Sequence, residues 1–107
     1  SWLMMNDEGL VVLGVERALL YSVGKIQTIY LPSIGDNIRQ GSVYFQIFSS
    51  DLRAQPVYSP LSGTVVEVNE KVLENPEIAV QDPYGDGWLI KLRPESFEAD
   101  MKTLGLL

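Results

Sequence analysis

The sequence predicts a mainly β fold in a single domain, with short helices and a helix at the C-terminus. Two observations indicate the β class: turn-forming residues recur at intervals of roughly 8–12 residues, and the apolar runs between them are short. The C-terminal helix is indicated by Phe97, Met101 and Leu104, which fall on one helical face. A chain of 107 residues suffices for one domain, residues 1–107, with its own core.

Composition limits the classes of partner. The net charge is −6 and the eight Lys and Arg residues are scattered, whereas phosphate binding requires clustered basic residues. We therefore expect no nucleic acid. No apolar stretch approaches the length that a membrane span requires, so we expect no membrane. An acidic surface suits a protein that docks on a basic patch of a protein partner.

The chain contains neither Cys nor His. This excludes a disulfide, a thiolate nucleophile, a Ser-His-Asp triad and a zinc site with the usual ligands. We therefore expect no catalytic residues, no metal and no enzyme activity. A lack of Cys also agrees with a cytoplasmic location, which is the location that we expect.

The N-terminal third predicts a hairpin, a helix and a strand. Residues 2–5 and 10–13 form the hairpin around a turn at 6–9. A short helix over 16–23 follows, and Gly24 stands where a glycine commonly ends a helix. A strand over 26–31 is stopped by Pro32.

The middle of the chain predicts a second hairpin. Residues 34–41 form a two-turn connector, Val43–Ser49 and Ala54–Tyr58 form the paired strands, and 64–68 form another strand. Gly63, at the turn before that last strand, is expected to take a positive φ.

The C-terminal part predicts one helical turn, two strands and the final helix. Asn69 is the expected N-cap of a turn through Glu74, and Asn75-Pro76 is expected to end it. The strands are expected over 78–81 and 88–92, and Gly105 is expected to end the final helix.

Three features resemble sites but have simpler explanations. The loop at 82–87 fails as a calcium loop, because Tyr84 and Arg93 occupy ligand positions, so it predicts a tight connection. Trp2 and Trp88 are predicted to lie in the core or at its rim. An acidic run predicts a solvated face, since nothing in the sequence pairs or buries its members, which are Glu67, Glu70, Glu74 and Glu77.

Residues 59–94, SPLSGTVVEVNEKVLENPEIAVQDPYGDGWLIKLRP, resemble the glycine cleavage system H protein. In that family the corresponding segment runs from an A-P-x-S-G turn through V-V-E-V-N and N-P-E-L to D-P-Y-G-x-G-W-L-I-K. Upstream, Gly14-Val15 and residues 19–35, LLYSVGKIQTIYLPSIG, resemble the family pattern, and Trp2 suits its opening strand. The resemblance covers nearly the whole chain.

This resemblance implies a lipoyl/biotinyl-type barrel-sandwich hybrid with helical additions. It also implies a lipoyl group on a lysine at a hairpin tip, which visits a decarboxylase, an aminomethyltransferase and a dihydrolipoyl dehydrogenase in turn. A biotin carrier does not fit, because the A-M-K-M tip of that class is absent.

The chain departs from the family at the tip, where the family reads E-S-V-K-A. Counting back from Pro60 places the lysine at Leu52, and counting forward from Gly41 places it at Asp51. The nearest cation is Arg53, whose guanidinium is not the amine that lipoylation needs. Asp51, Leu52 and Arg53 therefore form a degenerate attachment tip, and we expect no cofactor. The four lysines, at 25, 71, 91 and 102, are predicted to lie in other elements.

These observations predict an H-protein-like docking, adaptor or regulatory protein that is not lipoylated. Its expected partners are proteins, either glycine cleavage-type enzymes or another multienzyme complex. The alternative is a carrier of a one-carbon system that attaches its group through an atypical residue. Because the tip also lacks the family's acid, the double variant Ser49→Glu with Leu52→Lys is expected to be partially lipoylated, and the parent chain not at all.

Overall fold

The fold consists of two antiparallel β-sheets with four short helices, in a computed structural model that describes residues 1–50 and 53–106. The strands are β1 (Trp2–Met5), β2 (Val11–Gly14), β3 (Ile26–Tyr30), β4 (Asn37–Ile38), β5 (Val43–Ser49), β6 (Ala54–Tyr58), β7 (Gly63–Val68) and β8 (Ile90–Pro94). The helices are α1 (Arg17–Val23), α2 (Glu70–Glu74), α3 (Glu77–Gln81) and α4 (Phe97–Thr103). A mainly β fold with a C-terminal helix is thus confirmed.

The larger sheet has the strand order β1-β2-β8-β7-β4, with β8 in its centre. Leu92 of β8 lies opposite Val11 on one side and Val65 on the other. Ile90, two residues earlier, lies opposite Leu13. All five side chains are buried, so the register of β8 places one apolar row after another on the core side of the sheet.

The smaller sheet has the order β3-β5-β6 and closes the other side of the core. Its strands largely alternate, with Phe45, Ile47, Ile29 and Val57 buried toward the core, although Tyr44, next to a register irregularity in β5, is buried as well. Leu20 of α1, Val72 of α2, Ala79 of α3 and Met101 of α4 join the same core cluster. The helices therefore cover the gaps that the two sheets leave.

Several local predictions are confirmed. β1 and β2 form the expected hairpin, and the bounds of β5 and β6 are those predicted. Asn69 caps α2, because its Oδ1 accepts a hydrogen bond from the Lys71 backbone N–H at 3.2 Å. Gly24 and Gly105 follow α1 and α4 with φ values of 84° and 78°.

The predicted strand over 78–81 is wrong, because these residues belong to helix α3. Pro76 precedes the helix with helical dihedrals, and the Asn75 side chain accepts a hydrogen bond from the Glu77 backbone N–H. Proline is favourable at the start of a helix, where its missing N–H would have no partner. Asn75-Pro76 thus ends α2 as expected and also begins α3.

Other local features also differ from the prediction. The last strand begins at Ile90 and not at Trp88, because the Trp88 backbone N–H donates to Gly85 within the preceding turn. The connector over 34–41 contains the two-residue strand β4, which pairs with Thr64 and Gly63 of β7. The loop at 82–87 is a tight connection, as predicted, but it joins α3 to β8.

The prediction of a positive φ at Gly63 is wrong, because Gly63 is not among the glycines with that conformation. Its constraint is steric. A Cβ at this position would collide with the carbonyl oxygen of Arg93 on β8 and would lie 3.2 Å from the Cα of Pro94. Gly63 is therefore required because two backbones approach closely there.

We expect Gly63→Val to lower the free energy of unfolding by about 2–3 kcal/mol, because the opposing atoms are backbone atoms that no rotamer change can move. Chemical denaturation of the purified variant measures this loss. Thr64→Val on the same strand is the matched control and should change stability by less than about 0.5 kcal/mol. Asn, which tolerates a positive φ, should be as damaging as Ala at position 63. If Gly63→Asn were clearly milder than Gly63→Ala, the steric explanation would fail.

Candidate functional site

The β5–β6 hairpin supplies a regular frame for the degenerate tip. Its strands remain paired to Phe48 and Ala54, and beyond them the Ser49 backbone N–H donates to the Arg53 carbonyl at 3.0 Å. The Ser49 Oγ donates to the same carbonyl at 3.3 Å. Residues 50–52 therefore connect two strands that are held together at their ends.

Of the three predicted tip residues, only Arg53 lies within the described part of the chain. Its side chain is exposed, and its carbonyl closes the hairpin. Asp51 and Leu52 lie outside the described residues. Ser49, where the sequence suggested restoring an acid, is only 2% exposed. A carboxylate there would be buried, so Ser49→Glu is an unsuitable substitution.

Lys25 lies beside the tip, although sequence reasoning assigned it only to another element. Its carbonyl accepts a hydrogen bond from the Ser50 backbone N–H at 3.0 Å, and its side chain is exposed. The reason is topological: β3 pairs antiparallel with β5, so Ile26 lies opposite Ser49. Recognising that pairing in the sequence would have revealed the proximity.

The other three lysines lie on other elements of the fold. Lys71 is on α2 and Lys102 on α4, and both are exposed. Lys91 is on β8, where its Nζ lies 3.0 Å from Glu67 Oε2 and 4.9 Å from the centre of a Trp88 ring. Lys91 is therefore engaged in contacts on the larger sheet.

The outer surface of the β3-β5-β6 sheet carries no charge. None of the residues in these three strands is Asp, Glu, Lys or Arg, although 21% of the chain is charged. The rings of Tyr30 and Phe48 meet edge to face across β3 and β5, with centroids 5.2 Å apart. We call this surface the aromatic face; it is formed by Thr28, Tyr30, Val43, Gln46, Phe48, Ala54, Pro56 and Tyr58.

A concavity lies at the end of the β5–β6 hairpin that is opposite the tip. It has a volume of about 860 Å³ and runs between β1, the Gly41 turn and the end of α4. The Gln40 carboxamide, at its edge, donates to the carbonyls of Pro60 and Asp100 at 2.9 and 3.0 Å. The concavity is lined by Ser1, Leu3, Gln40, Gly41, Tyr58, Ser59, Pro60, Thr103, Leu104 and Leu106.

One buried phenol, that of Tyr44, lies near this concavity. Burial raises the pKa of the Tyr44 phenol well above its ordinary value. The hydrogen bond with Ser1 Oγ, at 2.8 Å, opposes the rise, and the Glu16 carboxylate adds to it. A phenol that resists ionisation serves as a structural hydrogen-bonding group and not as a base.

The described residues do not assemble a metal-binding cluster. Among residues 1–50 and 53–106, no group of three or more acidic side chains is placed to hold a metal ion. Three members of the acidic run, Glu67, Glu70 and Glu74, are exposed, in agreement with a solvated face, whereas Glu77 is half-buried. In the same described part of the chain, no helix is both long enough and apolar enough to cross a membrane.

Comparison with known proteins identifies the family. A family model described as glycine cleavage H-protein matches residues 1–105. The glycine cleavage system H protein of Carboxydothermus hydrogenoformans is 39% identical over 104 residues, which cover 97% of this chain and 78% of that protein. The H protein of Crocosphaera subtropica is 35% identical over 96 residues, which cover 90% of this chain and 71% of that protein.

A solved structure supports the same family assignment. The crystal structure of a glycine cleavage system H protein from Mycobacterium marinum superposes with a TM-score of 0.78 at 26% identity, covering 96% of this chain and 84% of that chain. The lipoyl-type barrel-sandwich fold that the sequence suggested is thereby confirmed. Proteins of this family are lipoyl carriers and not enzymes, in agreement with the prediction that the chain is not an enzyme. The chain belongs to the glycine cleavage H-protein family.

Proposed function

We propose that this chain is a docking protein of the H-protein family that carries no lipoyl group at its hairpin tip. It acts as an adaptor or regulator on partners that accept the shape of an H protein. These partners are glycine cleavage-type enzymes or another multienzyme complex in the cytoplasm. Neither nucleic acid nor a membrane is involved.

The proposal rests on one observation: the β5 and β6 strands pair up to the tip of the hairpin, but the attachment position has no lysine. The hairpin is closed by hydrogen bonds from Ser49 to the Arg53 carbonyl, while Asp51 and Leu52 occupy the attachment position in the two alignments. Forming the amide to lipoic acid requires a primary amine as nucleophile. The Arg53 guanidinium is not a primary amine and cannot replace it.

Charge supports docking in preference to ligand chemistry. The net charge of −6 favours association with a basic patch on a partner, and such steering acts at a distance without needing a catalytic group. At the tip itself the exposed side chains of Lys25 and Arg53 are positive. A partner can recognise these two exposed cations at the tip end.

A second candidate function is a carrier that attaches its group through an atypical residue, and Lys25 is the observation that favours it. Lys25 is an exposed primary amine whose carbonyl is hydrogen-bonded to Ser50 at the tip. The preceding Gly24, with a φ of 84°, turns the chain sharply beside it. Lys25 differs from a tip lysine in lying next to the hairpin and not within it.

The proposed function predicts an unmodified intact mass. Co-expressed with a lipoate ligase, the parent chain should keep its unmodified mass, because the attachment position has no amine. Mass spectrometry of the intact protein measures this, with a genuine H protein as the positive control. A stoichiometric lipoyl adduct would contradict the docking proposal. If that adduct disappeared in Lys25→Arg, the atypical carrier would take its place.

A lysine introduced at the tip should be lipoylated if the β5–β6 hairpin has the shape of a lipoyl-bearing hairpin. We expect partial lipoylation of Ser50→Glu with Leu52→Lys, since Ser50 is exposed and can carry the missing acid whereas Ser49 cannot. Asp51→Lys with Ser50→Glu tests the other alignment. Peptide mapping should place the adduct on the new lysine. If neither variant were modified under conditions that fully modify a genuine H protein, the hairpin would differ from a lipoyl hairpin in shape as well.

If this chain docks on glycine cleavage enzymes, it should compete with a genuine H protein for them. In an aminomethyl-transfer assay with purified glycine cleavage enzymes and limiting genuine H protein, excess of this chain should slow turnover. Raising the concentration of genuine H protein should restore the rate. Lys25→Glu at the tip should weaken the inhibition, whereas Lys102→Glu on α4, an equal charge reversal at another exposed lysine, should not. An unchanged rate in large excess would exclude these enzymes as partners, and turnover supported by the chain alone would instead favour the carrier.

A further inference from the structure

Two neighbouring methionines carry the exposed sulfur atoms of this chain. The sequence contains three Met and no Cys, so every sulfur atom belongs to a thioether. Met4 and Met5 on β1 are 54% and 45% exposed, whereas Met101 on α4 is 4% exposed within the core. Thioethers react with peroxides, and exposure decides which of them an oxidant can reach. The structure therefore divides the three methionines into an accessible pair and a protected one.

The exposure of this pair follows from the position of β1 at the edge of the larger sheet. β1 pairs with β2, in a register that sets Met4 opposite Val12 and Met5 opposite Val11. Within residues 1–50 and 53–106, no strand lies beyond β1 on its other side. Successive side chains of a strand point to opposite faces, so the two thioethers emerge on different faces of the sheet. An oxidant can therefore reach both sulfur atoms without any opening of the fold.

We propose that Met4 and Met5 form a reversible methionine oxidation site, with hydrogen peroxide or an alkyl hydroperoxide as the oxidant. A lone pair of the sulfur attacks one peroxide oxygen, the O–O bond breaks, and the sulfide is oxidised to a sulfoxide. The peroxide is reduced to water or to the corresponding alcohol, and the hydroperoxide proton goes to the departing oxygen. With no Cys in the chain, no thiol of the same protein consumes the oxidant first. Methionine sulfoxide reductases reverse the reaction.

Oxidation should loosen the β1–β2 hairpin at the end of β1 that bears the methionines. A sulfoxide is polar, and on Met4 it would replace an apolar side chain opposite Val12, which is buried. The other end of β1 stays anchored, because the Trp2 Nε1–H donates to the Pro83 carbonyl at 2.9 Å. Leu3, between these two ends, lines the concavity described above. Oxidation of β1 therefore changes one wall of the concavity, a property that is separate from the docking function of the hairpin tip.

Peptide mapping after limited treatment with hydrogen peroxide tests the site, with fragment ions that assign each added oxygen to a residue. In the folded chain, Met4 and Met5 should each gain one oxygen atom at least about tenfold faster than Met101, because only Met101 is buried. In denaturant the three methionines should be oxidised at similar rates. Similar rates in the folded chain, or a slower reaction of Met4 and Met5, would overturn the proposal.

Leucine variants assign the oxygen uptake to the two thioethers. Met4→Leu with Met5→Leu keeps apolar side chains of similar volume and removes both sulfur atoms, so β1 of this variant should gain no oxygen under the same treatment. Met101→Leu is the matched control and should leave oxidation of Met4 and Met5 unchanged. If β1 of the double variant gained as much oxygen as β1 of the parent chain, another side chain such as Trp2 would be the reactive group, which contradicts the proposal.

Hydrogen exchange measured by mass spectrometry tests the loosening of β1. The backbone amides of β1 and β2 should exchange several-fold faster in the oxidised parent chain than in the untreated one, whereas peroxide should not change their exchange in the Met4→Leu, Met5→Leu variant. Reductases for both sulfoxide epimers should remove the added oxygen and restore the slow exchange. Unchanged exchange in the fully oxidised parent chain would contradict the loosening of β1. Sulfoxides that resist both reductases would contradict a reversible site.

Discussion

The position of β8 between β2 and β7 is the constraint on which the rest of the structure depends. Its side chains alternate, with Ile90 and Leu92 buried and Lys91 and Arg93 more exposed. A shift of one residue in the register would turn both cations toward the core, which makes the register strongly specified. At the end of this pairing, the Arg93 carbonyl leaves room only for Gly63. Because the turn after β6 leads directly to Gly63, the same register also fixes the base of the β5–β6 hairpin.

The hairpin itself depends little on what its tip contains. Its closure uses the Ser49 N–H and hydroxyl and the Arg53 carbonyl, and two of these three groups belong to the backbone. The side chains that hold it to the core, such as Phe45 and Ile47, lie well below the tip. Within this family the tip chemistry can therefore change without loss of the frame. A protein with the shape of a carrier and no carrier lysine is thus physically reasonable.

Much of the fold could be predicted from the sequence because its signals are local. Alternating residues gave β5 and β6 their bounds, and Asn69 marked the start of α2. Proximity across the fold could not be predicted in this way. The constraint on Gly63 comes from another strand, which periodicity does not reveal. Lys25 lies beside the tip only because β3 pairs antiparallel with β5, so its place in the candidate site emerged from the structure. The strand expected over 78–81 failed because Asn75-Pro76 both ends one helix and begins the next.

The topology also has a consequence for the order in which the chain folds. The β5–β6 hairpin joins neighbouring segments and can close as soon as both have left the ribosome. The central pairing of β2 with β8 joins residues near opposite ends of the chain, so the larger sheet cannot form until residues 90–94 are available. During synthesis the uncharged strands of the small sheet therefore exist before the surface that buries them. The absence of an N–H at Pro56 then matters most in that interval, because it hinders strand pairing between growing chains.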